Sequence, residues 1–298
     1  MKTAIELLFK GEEKLAEWHI ENDCSDVNYK HVSGDSAISA AAWNGYCKIV
    51  KLLLSKGANI HIRNLNYSTT PLLEAASRGH VDVIELLLAN GACINDKDIY
   101  GMDALITAAK NGFLIVVQLL IKRGASPNYK IYDVRPLYDG FTAIIMAAWK
   151  GHFEIVEYLL TFNPNLNDET ERCETALILA STMGYVDIVR LLLVKGADPN
   201  RKSVGGNTAL MRACRLGHVE IAEMLMTGGA NVNDKNQMGK TSLMMASSEE
   251  IVDCLLSNGA ITFVDEGDSE AVQMYERYYG DHSEDVQMYE RYYGDDNL

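Results

Sequence analysis

Two glycine ladders of nearly fixed period constrain this fold more than anything else in the chain. The first runs Gly45, Gly79, Gly112, Gly151, Gly184 and Gly217, with spacings of 34, 33, 39, 33 and 33. The second runs Gly57, Gly91, Gly124, Gly196, Gly229 and Gly259. Asn163 stands where its missing member belongs, and Asn is one of the few other residues that tolerates a left-handed backbone. A period of this length marks stacked supersecondary units, none of which buries its apolar face alone.

Each unit carries its signals in one order. Thr70-Pro71-Leu72-Leu73-Glu74-Ala75-Ala76 opens a short helix, with Thr70 as N-cap and Pro71 at the first helical position. Thr142, Thr175, Thr208 and Thr241 recur at the cap, and Ser36 and Asp103 substitute for Thr there. The first glycine ends this helix in a left-handed C′ conformation. A second apolar stretch follows, as in Val81–Leu88, Ile155–Leu160 and Ile188–Leu193, patterned for a helix buried on a wide face. The small pairs Ala41-Ala42, Ala75-Ala76, Ala108-Ala109 and Ala147-Ala148 let neighbouring helices approach closely.

These residues resemble the ankyrin repeat. The likeness lies in Thr70-Pro71-Leu72, Ala75-Ala76, Gly79-His80, the Val83–Leu88 run and Gly91-Ala92, and it recurs in every unit. It departs from the family pattern where His often follows Thr-Pro-Leu; here that position holds Ser39, Leu73, Ile106, Ile145, Ile178, Met211 and Met244. The fold expected is an all-α repeat solenoid of stacked helix-turn-helix units with short turn or hairpin fingers, followed by a disordered acidic C-terminal tail. Residues 1–32 form a degenerate capping repeat, 33–260 seven repeats with an insertion near 130–138, and 261–298 the tail. The last repeat is truncated: Ala246 to Gly259 spans 13 residues where Ala75 to Gly91 spans 16, and the three residues are expected to be missing from the inter-helix turn.

Chemistry-bearing motifs are weak. Gly239-Lys240-Thr241-Ser242 looks like the end of a phosphate-binding loop, but Asp234 stands where that loop needs its first glycine. His80, His152 and His218 share one repeat slot two units apart, roughly 20 Å at roughly 8–10 Å per packed helix, too far to hold one ion. Their role is expected to be structural. Six cysteines without a CxxC pair indicate reduced thiols in an intracellular compartment. No cofactor, metal or catalytic activity is expected. The net charge of −14 argues against nucleic acid, and no apolar stretch approaches the ~18 residues of a membrane span.

In the family, the resemblance implies a cupped stack whose concave face, lined by turn tips and first-helix ends, meets protein partners. Carried over, the two residues before each first glycine are Trp43-Asn44, Ser77-Arg78, Lys110-Asn111, Trp149-Lys150, Thr182-Met183 and Arg215-Leu216. Turn-tip candidates are Tyr67, Tyr100, Phe141, Arg172 and Met238, and the inserted loop adds Tyr132 and Tyr138. Trp, Tyr and Arg are the types that dominate binding hot spots. Packing between repeats is the competing role for Trp43 and Trp149.

Residues 262–298 carry −9 of the net charge, leaving −5 for the rest. They contain a duplication 14 residues apart, Val272–Asp281 and Val286–Asp295. Its tyrosines, Tyr275, Tyr278, Tyr279, Tyr289, Tyr292 and Tyr293, are candidate phosphorylation or docking sites; alternatively the tail folds back on the cationic concave positions. The function expected is a monomeric, intracellular, non-catalytic protein-interaction module acting as adaptor, scaffold or regulator, with a nuclear location left open. The alternatives are a substrate-presenting subunit of an enzyme complex and a translocated effector of an intracellular organism.

Overall fold

A computed structural model describes residues 1–22, 26–132 and 138–261. These contain fifteen α-helices and no strand beyond two isolated bridges, Lys30 to Ser36 and Lys130 to Thr142. The chain divides into two units, Met1–Arg135 with Thr142–Pro164, and Pro136–Phe141 with Asn165–Leu298.

The first unit holds five helix pairs: α1 (Lys2–Phe9) with α2 (Glu13–Asn22), α3 (Ala37–Trp43) with α4 (Cys47–Ser55), α5 (Pro71–Arg78) with α6 (Val81–Ala89), α7 (Ala104–Lys110) with α8 (Leu114–Lys122), and α9 (Ala143–Lys150) with α10 (Phe153–Leu160). First helices pack in one row, second helices in another. The second unit repeats the plan with α11 (Ala176–Met183) and α12 (Val186–Val194), then α13 (Ala209–Leu216) and α14 (Val219–Thr227). A single 3₁₀ turn, Leu243–Met245, precedes α15 (Glu249–Ser257).

The expected caps are made. Ser36, Thr70, Asp103, Thr142, Thr175 and Thr208 each accept a hydrogen bond from the amide three residues on. Each satisfies one of the donors a helix start leaves open. Gly79 takes φ +79°, and a Cβ there would fall 2.6 Å from the Phe113 ring of the next pair. The glycine therefore both reverses the chain and admits a neighbour's side chain. Asn163 takes φ +49°, as its place in the second ladder required.

The histidine slot is a stacking device. His80 Nε2 lies 2.8 Å from the Trp43 carbonyl oxygen, His152 Nε2 3.0 Å from that of Lys110, and His218 Nε2 3.3 Å from that of Thr182. Each joins the end of a first helix to the following pair. Asparagine makes a second ladder that the sequence reading missed. Asn28 accepts from the Asn59 amide, Asn167 from Asp198, Asn200 from Asn231 and Asn233 from Ile261. The 33-residue spacing of Asn167, Asn200 and Asn233 was the signal available.

The last repeat corrects an expectation. Its missing residues come from the first helix, which shrinks to Leu243–Met245, rather than from the turn alone. The Ser247 amide and hydroxyl then donate to the Cys214 carbonyl at 3.1 and 3.0 Å, replacing the histidine contact. Ser248 caps α15.

Candidate functional site

The richest exposed constellation lies in the first unit, at first-helix ends and finger tips. Trp43 closes α3 and Arg78 closes α5, one repeat apart. The Arg78 guanidinium carbon sits 3.6 Å from the Trp43 ring centroid, with Arg78 exposed and Trp43 half-buried. Arg78 is thereby held flat by a cation–π contact while keeping donors for a partner. The stack is possible because Gly45 and Gly79 reverse the chain directly after each helix, putting equivalent residues in register. On the fingers, Tyr67 and Tyr100 lie with ring centroids 6.4 Å apart, and the Ile99 amide donates to the Tyr67 carbonyl at 2.8 Å. Tyr67 is exposed and Tyr100 half-buried. Lys97 Nζ stands 4.1 Å from the Tyr129 ring centroid.

A polar cluster sits behind this surface. Thr69 Oγ1 donates to Glu74 Oε1, and Asn64 Nδ2 donates to the same oxygen at 3.3 Å. Burial pushes the Glu74 carboxyl up to about 7, Asp35 and Asp98 adding to the shift while the Thr69 hydrogen bond and Arg78 oppose it. The N-cap Asp103 is likewise raised by burial to about 6, against hydrogen bonds from the Ile106 and Leu105 amides. In the second unit, buried Glu174 rises to about 7 through burial, opposed by Arg212 and Arg172; Arg212 approaches it at 3.9 Å. The burial of Glu74 and Arg212 escaped the sequence reading, although the signal was a charge at the first-helix position where other repeats carry Ala40, Thr107, Met146 and Leu179.

Three expected contact aromatics are corrected, and the expected contact Thr182 is buried as well, at 4% exposure. Trp149, Tyr138 and Phe141 are only 3%, 2% and 1% exposed. Phe141 packs edge-on against Tyr138 at 5.7 Å, so both finger aromatics turn inward. Trp149 lies under Lys150, whose Nζ is 3.9 Å from the ring centroid. None of the three offers a side-chain surface to a partner. Tyr132 is 78% exposed, and the rest of the insertion, residues 133–137, lies outside the described residues. Lys110, Lys150, Met183 and Arg215 are half-buried at their helix ends, and Arg172 is half-buried in its turn, whereas Met238 is exposed. The tail tyrosines lie outside the described residues too. Among the described residues, no group of three or more His, Cys, Asp or Glu is placed to hold a metal ion. None of their helices is long and apolar enough to cross a membrane. Cys47, Cys93, Cys173, Cys214 and Cys254 are all free thiols, with burial raising Cys214 to about 12.

Helix pairs stacked through capped starts, left-handed glycines and ring-to-carbonyl contacts define a repeat solenoid of the protein-interaction class. A family model for ankyrin repeats matches three times, over residues 38–131, 128–203 and 196–265. The chain belongs to the ankyrin repeat family, whose members are general protein–protein interaction modules. It is similar to the crystal structure of the human ASB11 ankyrin repeat domain, at 30% identity and TM-score 0.68, covering 76% of this chain and all of that one. It is also 31% identical over 154 residues to the ankyrin repeat and KH domain-containing protein mask-1 of Caenorhabditis elegans. That match takes in 52% of this chain but only 5% of the relative's length.

Proposed function

We propose that the chain is a non-catalytic protein-binding module, acting as adaptor, scaffold or regulator, and that its partner meets the first-helix and finger side of the first unit. The observation that carries this is the exposed Arg78 laid over Trp43. A guanidinium fixed on an aromatic face is entropically prepared for a carboxylate, and binding hot spots favour both residue types. Tyr67 and Tyr100 extend the surface with flat, amphipathic area. The partner that fits presents an acidic residue beside an apolar one. The family's general role in protein–protein interaction supports the reading.

The test compares quantitative capture of partner by the full chain, Trp43→Ala and Arg78→Ala, with melting temperature measured in parallel. Each substitution is expected to lower affinity at least tenfold, about 1.4 kcal/mol, with little change in melting temperature. Unchanged affinity in both variants would remove the proposed surface.

A further inference from the structure

We infer that the open end of the last repeat is the docking site for the duplicated tyrosine segment of the chain's own tail, residues 269–280 or their copy 283–294.

The end face is apolar where a terminal cap is ordinarily polar. The third residue of the first helix is at most 2% exposed in Ser39, Leu73, Ile106, Ile145, Ile178 and Met211; its counterpart Met244 is 41% exposed. The equivalent second-helix residues Val50, Ile84, Val117, Val156, Val189 and Ala222 are wholly buried, whereas Val252 is only half-buried. Leu256, one turn further along α15, and Ile261, just beyond it, are exposed as well. Within each of the two units, each following helix pair packs against the one before it. Among the described residues no further helix follows α15.

The chain leaves from this face. The Ile261 amide is held by Asn233 Oδ1 at 2.8 Å, so the last described residue is tied to the last repeats, four residues beyond α15. Seven residues, 262–268, then separate it from Ser269. They reach up to about 25 Å, against a length of about 13 Å for α15. The sequence beyond is framed like α15 itself. Ser248 caps α15, Glu249 follows, and Gly259 stands eleven residues after the cap. Ser269, Glu270 and Gly280 repeat that frame, and Ser283, Glu284 and Gly294 repeat it again. On helical spacing, Val272, Tyr275 and Tyr279 share a face with Met274 and Tyr278 beside them, while Gln273, Glu276 and Arg277 point the other way. Glu276 and Arg277 cancel, so the docking stretch Val272–Tyr279 carries no net charge within an acidic tail. One apolar face and two matching copies make the copies interchangeable occupants.

Hydrogen exchange at the α15 amides of the full chain reads this directly. Replacing Tyr275 and Tyr278, or Tyr289 and Tyr292, by Ser leaves one copy intact, and exchange should stay within about threefold of the unmodified chain. Replacing all four should speed α15 exchange about tenfold or more, with α12 unchanged as the control for folding. A synthetic peptide of residues 269–280 added to the fourfold variant should restore protection, and the same peptide with Tyr275 and Tyr278 replaced by Ser should not. Equal α15 exchange in the unmodified chain and the fourfold variant would overturn the inference. So would protection that rises with protein concentration and survives the fourfold replacement, because it would assign the face to a second copy of the chain.

Discussion

At the scale of single residues, the inner polar groups decide how stability follows pH. Glu74 moves from 4.5 to about 7, so between those values the folded chain holds more protons there than the unfolded chain. Its contribution is complete below about pH 4.5 and is lost as pH rises through about 7. Glu74→Gln keeps an acceptor for Thr69 and Asn64 but cannot ionise. It should be near neutral at pH 4 and stabilise by about 3 kcal/mol at pH 8, measured by urea unfolding at the two pH values. A gain of equal size at both would refute the account of the shift. Trp149 makes the contrasting case. At 3% exposure it is a packing residue, and Trp149→Ala should cost about 3–5 kcal/mol of unfolding free energy. Neither Glu74 nor Trp149 was legible as what it is. A charge or a tryptophan in a contact-facing slot looks the same in sequence whether its neighbours cover it or not.

At the scale of the helix pair, the sequence was read most successfully, because each signal acts locally. A cap three residues before an amide and a glycine directly after a helix are fixed by backbone geometry alone. Thr142 illustrates this: its place in the repeat predicts an N-cap, and it accepts from the Ile145 amide at 3.4 Å. Thr142→Ala should cost about 1 kcal/mol, measured by thermal or urea unfolding, and Thr142→Ser should recover most of it. Gly79→Ala should cost more than an ordinary helix-end substitution. It forces a positive φ on a side chain and pushes its Cβ into Phe113. A cost no greater than that of Thr142→Ala would argue against the close approach. The last pair resisted reading for the opposite reason. A three-residue deletion can be absorbed by a turn or by a helix, and only the contact of Ser247 with the Cys214 carbonyl decides between them.

At the scale of the whole chain, the acidity of −14 describes the tail more than the repeats, and the Arg78–Trp43 stack of the first unit is cationic and aromatic. The repeat solenoid itself was visible in two glycine ladders. Of the residues expected to meet a partner, Arg78 and Tyr67 are exposed and Trp43 and Tyr100 half-buried, whereas Phe141 and Tyr138 turn inward. That inversion follows from packing around a longer repeat, which no local pattern encodes. The central claim is that a protein partner meets the first-helix and finger side of the first unit. Hydroxyl-radical footprinting of the full chain, with and without its captured partner, tests it most directly. Protection of Trp43, Tyr67 and Tyr100, with Ile115 on α8 left reactive, is the predicted result; protection of Ile115 while Trp43 and Tyr67 stay reactive would contradict it.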